Sequence, residues 1–220
     1  KNRPEFLINF IKINGAHQAL LNEIRLLIGV DLPISFYDIN LDKIKEKIEL
    51  LKEVKSADLY ITENIIYIHV QARQPAIYWL NGSSLELLDA TGVSMRTVRN
   101  GNTSLDLPLI AGVGANRSID EAIFIYANSN SFSKEILGLV RVGERRWDLI
   151  LKNDKKIMFP AEGLETVFKK MIKENRYKKL LSVEFSVLDL RNPNRVMIRQ
   201  KTENNEAVEI KLRSLEEGSI

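Results

Sequence analysis

The spacing of apolar residues shifts repeatedly along the first part of the chain, and each shift marks a new element. Phe6, Ile8 and Phe10 alternate, followed out of step by Ile11 and Ile13, which predicts a strand ending at the turn pair Asn14-Gly15. Leu20, Leu21, Ile24, Leu27 and Ile28 then fall at helical spacing, with Gly29 where a helix commonly ends. Asn40 is placed to cap a second helix with a stripe of Leu41, Ile44, Ile48 and Leu51. Asp42, Lys43, Lys45, Glu46, Lys47 and Glu49 lie on its other side. Two helices with one apolar face each require a sheet to lie on. The period returns to two over 54–62 and 65–73, joined at Glu63-Asn64, with Ile66, Ile68 and Val70 sharing a face. The predicted order is β-α-α-β-β, and Pro75 holds the chain extended into 76–79.

Beyond residue 81 the elements shorten. Residues 85–88 predict a short strand, Asp89-Ala-Thr-Gly92 a turn, 93–98 a strand that pairs back, and 99–104 a loop. Leu107-Pro-Leu-Ile110 leads into the glycine turn Gly112-Val-Gly114. Ser118 is placed to cap a helix with Asp120 and Glu121 in its first turn and a stripe of Ile119, Ala122, Ile123 and Tyr126. Strands are expected over 136–142, 147–152 and 156–159, with a turn at Asn153-Asp154 and Pro160 closing the run. Residues 162–175 follow as a helix with Leu164, Val167, Phe168, Met171 and Ile172 inward.

The last strong pattern is Val183, Phe185 and Val187, then Leu188 and Leu190, a turn at Asn192-Pro193-Asn194, and a second arm over 195–200. Apolar arms flanking an Asn/Pro turn predict a β-hairpin. A polar run over 201–206 follows, 206–212 alternates weakly and fits either a last strand or a tail, and little sheet-forming sequence remains. The second arm is therefore expected at a sheet edge, where unpaired N–H and C=O groups can receive another chain. The fold class expected is α+β: a β-α-α-β-β domain over 5–80, a mixed β domain with a mainly antiparallel sheet and flanking helices over 81–212, and a tail over 213–220.

Composition narrows the functions. The 220 residues allow one large domain or two small ones, and 45% hydrophobic with 28% charged residues is ordinary for a globular protein. The 32 basic and 29 acidic residues leave +3, with the charges interspersed. The nearest basic clusters, Arg141-Val-Gly-Glu-Arg-Arg146 and 169–179, read as solvated surface, so no nucleic-acid partner is expected. There is no cysteine, which excludes a disulfide, a thiolate metal site and a thiol nucleophile. No apolar run reaches the about 18 residues of a membrane helix. The chain starts at Lys1 rather than Met, as a trimmed or processed protein would, leaving room for a membrane anchor upstream.

Catalytic chemistry finds no constellation. The two histidines, His17 at a helix start and His69 on a strand, have no carboxylate at metal-ligand spacing and are expected on the surface. Gly112-Val-Gly114-Ala-Asn-Arg117 lacks the third glycine of a dinucleotide fingerprint and the Lys-Ser/Thr of a phosphate loop, so a turn explains it. Asp89 reads as a turn residue, and Asp189 with Arg191, two apart on a strand, as an ion pair on one face. Trp147, after Arg145-Arg146, fits either the core or a binding anchor. No catalytic residue, cofactor or metal is expected.

Several motifs carry a resemblance that covers almost the whole chain. They are Ile13-Asn-Gly15, Ile44 to Ile48, Val54-Lys-Ser-Ala57, Ile68-His-Val-Gln-Ala-Arg-Gln-Pro-Ala76, Leu88-Asp-Ala-Thr-Gly92, and Leu107-Pro-Leu-Ile-Ala-Gly-Val-Gly-Ala115. Arg146-Trp-Asp-Leu-Ile-Leu-Lys-Asn153 and Val187-Leu-Asp-Leu-Arg191 with Asn194-Arg-Val196 complete the set. In this order they resemble the periplasmic part of the bacterial FtsQ/DivIB cell-division family, a POTRA domain followed by a β domain, most of all in its alphaproteobacterial branch. Ala72 stands where the family usually has an acid.

The resemblance implies a single-pass inner-membrane protein of the division septum, its membrane helix upstream of this chain, that catalyses nothing. It implies binding of the FtsB–FtsL coiled-coil pair by strand addition at the last strand of the β domain, linking early and late division proteins. The POTRA domain is implied to serve localisation and contact with other division proteins. On this chain the partner-binding residues would be Arg191, Arg195, Val196, Met197, Ile198, Arg199 and Gln200, with Trp147 a lesser candidate. Proline or a reversed charge at Ile198 is expected to abolish binding and leave the fold intact. The competing reading is a POTRA-containing outer-membrane assembly or secretion module that handles unfolded polypeptide.

Overall fold

The structure, a computed structural model, describes residues 6–99, 105–173, 185–192 and 195–200. Lys1–Pro75 with Val93–Arg96 form one unit, and Ala76–Gly92 with Thr97–Ile220 form a second.

In the first unit the period of the sequence turns directly into layers. Its elements are β1 (Leu7–Ile8), β2 (Phe10–Asn14), α1 (Gln18–Ile28), β3 (Ile34–Ser35), α2 (Leu41–Glu49), β4 (Val54–Thr62) and β5 (Ile65–Ala72). The strand expected over the first apolar run is split at Asn9, whose N–H donates to the carbonyl of Asn64 at 3.0 Å. The split explains the break in alternation: Ile8 is buried on β1, while on β2 Ile11 and Ile13 pack against the core and Phe10 is exposed. β1 pairs with β3, and β2-β5-β4 form a sheet with β2 parallel and β4 antiparallel to β5.

Both helices are capped as their sequences require. His17 Nδ1 accepts from the N–H of Leu20, and Asn40 Oδ1 accepts from that of Lys43 at 2.9 Å. Gly29, left-handed at φ 54°, closes α1 with its N–H on the carbonyl of Arg25. Leu20, Ile24, Ile28, Ile44 and Ile48 of the helices then bury against Val54, Ala57, Ile66, Ile68 and Val70 of the sheet. This is the β-α-α-β-β order of a POTRA domain, with the short β1–β3 pair added.

The second unit is built from β6 (Pro75–Asn81), β7 (Ser84–Asp89), β9 (Leu109–Ala111), α3 (Ile119–Asn128), β10 (Ile136–Val142), β11 (Arg146–Leu151), β12 (Lys156–Met158), α4 (Leu164–Lys173), β13 (Val187–Asn192) and β14 (Arg195–Arg199). Between β7 and β9 in sequence, β8 (Ser94–Thr97) contributes Ser94, Met95 and Arg96 to the first unit. The strand expected to return over 93–98 does so: the Val98 N–H donates to the carbonyl of Leu85 at 2.7 Å. Strand order from one end is β14-β13-β12-β11-β10-β9-β6-β7. β10–β11, β11–β12 and β13–β14 are antiparallel, while β6–β9, β9–β10 and β12–β13 are parallel. Two of the parallel joints have a helix in their connection, α3 between β9 and β10 and α4 between β12 and β13, as parallel neighbours require a crossover. The protein is α+β, with a mixed sheet.

Both helices bury against this sheet. Ile119, Ala122 and Ile125 of α3 and Val167 and Phe168 of α4 join one cluster with Leu139, Leu149, Ile157, Leu188 and Ile198. Phe168 stacks on Phe159 at 5.1 Å and meets Phe124 edge-on at 5.5 Å. Two expectations for α3 are corrected. Ile125 rather than Ile123 completes its buried stripe, and Ile123 is exposed. Ser118 makes no capping hydrogen bond, because a 3-10 turn over Ala115–Ser118 runs straight into the helix. Tyr126 is half-buried, donates to the carbonyl of Leu109 at 2.6 Å, and has its phenol pushed up to about 12 by burial. Residues 100–104 of the expected loop, 174–175 of the last helix, Val183, 193–194 of the hairpin turn, and 201–220 lie outside the described residues, as do the side chains of Met171 and Ile172.

Candidate functional site

The β13–β14 hairpin closes one end of the sheet. Its register pairs Val187 with Arg199, Leu188 with Ile198, Asp189 with Met197 and Asn192 with Arg195. Following the pairings inward gives one apolar row across five strands, Ile198–Leu188–Ile157–Leu149–Leu139, all buried beneath the helices. β14 is held by continuing this row with Ile198.

The Ser186 N–H and Oγ both donate to the carbonyl of Arg199, at 2.8 and 3.2 Å, although Arg199 is paired with Val187. The register of the pair shifts further along, between Asp189 and Asn192, where β13 carries one residue more than β14. The Ser186 contacts orient β14. With the Arg199 carbonyl directed to β13, alternation turns the N–H and C=O of Val196 and Ile198 to the opposite side. Among the described residues no strand lies beyond β14.

The face away from the helices is charged. Asp148, opposite Met158, is buried with Arg146 Nε at 3.4 Å and Lys156 Nζ at 3.7 Å. Asp189 receives Arg191 through Nε at 2.9 and 3.0 Å and a terminal nitrogen at 2.6 Å. That hydrogen bonding holds the Asp189 carboxyl below its usual range and raises the Arg191 guanidinium. The expected ion pair is present, and it engages the Arg191 side chain within its own strand.

The predicted partner-binding residues separate into two sets. Arg195, Met197 and Arg199 are exposed on the charged face, and Gln200 is half-buried just past β14. Val196 and Ile198 point to the core, Val196 half-buried and Ile198 only 6% exposed. The expectation that Ile198 can be reversed in charge without harm to the fold is therefore corrected: a charge there would enter the apolar row.

Trp147 is settled as core. It is 1% exposed, on β11, with β12 and β13 between it and β14. Its Nε1 donates to Glu121 at 2.9 Å, and the Arg141 guanidinium lies 5.0 Å over its ring while donating to the same carboxylate at 2.5 Å. The alternation Trp147, Leu149, Leu151 pointed to this buried face. Glu121, which the sequence marked only as a first-turn acid of α3, is the residue that sequence reasoning missed. Its partners stand 20 and 26 positions away, so no local signal could find them.

The remaining candidates are structural. His17 Nε2 is 3.1 Å from Glu53 and His69 Nδ1 is 2.7 Å from Asn14 Oδ1. Asp89 accepts from the N–H and hydroxyl of Thr91 at 2.9 and 2.7 Å, closing the expected turn. Gly112, at φ 102°, lies where a Cβ would come within 2.5 Å of the Arg141 carbonyl, so its glycine serves close packing. Among the described residues no group of three or more His, Cys, Asp or Glu could hold a metal.

Residues 77–191, from β6 into β13, match the family described as "Cell division protein FtsQ/DivIB, C-terminal". The chain belongs to the FtsQ/DivIB family. Proteins named "Cell division protein FtsQ" are 33% identical over 200 residues in Jannaschia sp. (strain CCS1), 35% over 192 in Roseobacter litoralis and 32% over 200 in Dinoroseobacter shibae. These matches cover 90%, 87% and 90% of this chain but 64%, 66% and 67% of the three FtsQ proteins, so the chain spans about two thirds of their length. The FtsQ/DivIB match ends at Arg191 and does not include β14. No helix among the described residues is long and apolar enough to cross a membrane.

Proposed function

We propose that this chain is the partner-binding part of a non-catalytic division scaffold that accepts a strand from another division protein on the free side of β14. The observation that carries the reading is the end position of β14 among the described strands: it is anchored inward by Ile198 and turns the N–H and C=O of Val196 and Ile198 away from β13. Main-chain bonding there supplies affinity, and Arg195, Met197 and Arg199 on the open face supply selectivity. The partner is an FtsB/FtsL-type coiled-coil pair, so that the scaffold links early and late division proteins. Its segment lies in the periplasm, on a single-pass protein of the inner membrane at the septum.

Two proline substitutions test this reading. Val196→Pro deletes an outward N–H and leaves the β13 ladder intact, whereas Met197→Pro deletes an inward one. Val196→Pro should abolish co-purification with an FtsB/FtsL-type pair while the urea midpoint stays near wild type. Met197→Pro should lower stability by about 3 kcal/mol or more. Unchanged binding by a folded Val196→Pro protein would refute strand addition at β14.

A further inference from the structure

The face that is charged around β11 to β13 is apolar at the β9–β6–β7 end. Parallel register sets Tyr78 beside Leu109 and Leu80 beside Ala111, while the intervening Trp79 and Ile110 face the core. Leu105 and Leu107 keep the two-residue step of Leu109, and the Leu105 N–H donates to the Tyr78 hydroxyl at 3.3 Å. The Tyr78 N–H in turn donates to the Pro108 carbonyl at 2.8 Å. This strap and the strands beneath it enclose a groove of about 670 Å³ lined by Tyr78, Leu80, Leu85, Leu105, Leu107 and Leu109, with Asp106 on the rim. Leu80 and Leu105 are each 38% exposed. The volume lies within the ~300–1,000 Å³ of binding pockets.

We infer that this groove docks an amphipathic helix bearing a lysine or arginine beside its apolar face. Two observations choose that occupant. β6 lies between β9 and β7, so the groove floor has neighbouring strands on both sides and offers side chains rather than a free main-chain edge. An occupant must therefore satisfy its own backbone, which a helix does and an extended strand does not. The charge is set by Asp106, which is exposed at the rim and has no ion-pair partner among the described residues. Leucines at i, i+3, i+4 and i+7 fill the groove, and the basic side chain meets Asp106. This surface is independent of β14 and of the strand-addition reading.

The test uses the whole 220-residue chain and two fluorescein-labelled helical peptides, identical in their leucine stripe and differing only in lysine or glutamate at the flank. Fluorescence anisotropy should show saturable binding of the lysine peptide, weakened by about tenfold or more in Leu80→Glu. Asp106→Lys should reverse the preference in favour of the glutamate peptide. Val196→Pro should bind the lysine peptide as wild type does. Leu105→Glu serves in place of Leu80→Glu if the latter melts early. The inference is overturned by the absence of saturable binding, by equal affinity for both peptides in wild type and Asp106→Lys, or by indifference to both leucine substitutions. Loss of a wild-type dimer by Leu80→Glu in sedimentation would give the groove to a second copy and also overturn it.

Discussion

β11 and β14 belong to one sheet and are six and five residues long, yet β11 buries four of its residues and β14 only Ile198. The difference follows from position. β11 lies between β10 and β12, under α3 and α4, so Trp147, Leu149 and Leu151 are enclosed on one face. On its other face Asp148 can be buried because Arg146 of its own strand and Lys156 of the adjoining one stand against it. Among the described residues β14 has one ladder partner and one apolar anchor, and its arginines face solvent. An interior strand spends its side chains on the fold, whereas an end strand keeps most of its own available to a partner.

The widest gap between the two strands should appear on truncation. Trp147→Ala is expected to cost about 3–5 kcal/mol in urea unfolding, since it empties a core site and strips Glu121 and Arg141 of a shared partner. Ile198→Ala is expected to cost less, about 2–3 kcal/mol, because the end of the apolar row can relax toward solvent. Equal losses would break the comparison by making β14 as integral to the core as β11.

Smaller effects sharpen it. Asp189→Asn removes the Arg191 pair and should cost under about 1 kcal/mol at neutral pH, as expected for a partly exposed ion pair. Because the folded-state carboxyl is lowered, this stability is present above the ordinary aspartate value of 3.8 and is lost as pH falls through the lower folded value. Wild type and Asp189→Asn should therefore converge in a pH series of urea melts, and a gap that persisted at low pH would show that packing rather than charge is at work. Arg199→Glu should leave stability within about 0.5 kcal/mol, while it lowers affinity for the added strand severalfold. A measurable loss of stability would show that Arg199 is part of the fold.

Legibility in the sequence tracked how local each interaction is. The caps at Asn40 and Gly29, the turn at Asp89 and the Asp189–Arg191 pair all lie within four residues, and all were readable. The apolar phase slip between Phe185 and Leu188 was visible in the sequence, whereas the bonding of Ser186 to the carbonyl of Arg199 lies across the hairpin and was not. Trp147 fitted the core better than a binding anchor but left both open, because a period-two pattern shows which residues share a face but not which face is covered. The expectation that a charge at Ile198 would spare the fold failed because that residue faces the core.

From its residues alone, this chain settled the β-α-α-β-β order, most strand and helix limits, and the pairing of 187–192 with 195–199 in a hairpin. Those properties depend on period, capping and turn chemistry, which act over a few neighbours. The tertiary structure decided the order of strands in the second unit, the burial of Trp147 and Ile198, the convergence of Glu121, Arg141 and Trp147, and the groove over Tyr78. Each of these joins residues far apart in the chain, and their pairing is selected by the packing of whole layers rather than by any local preference.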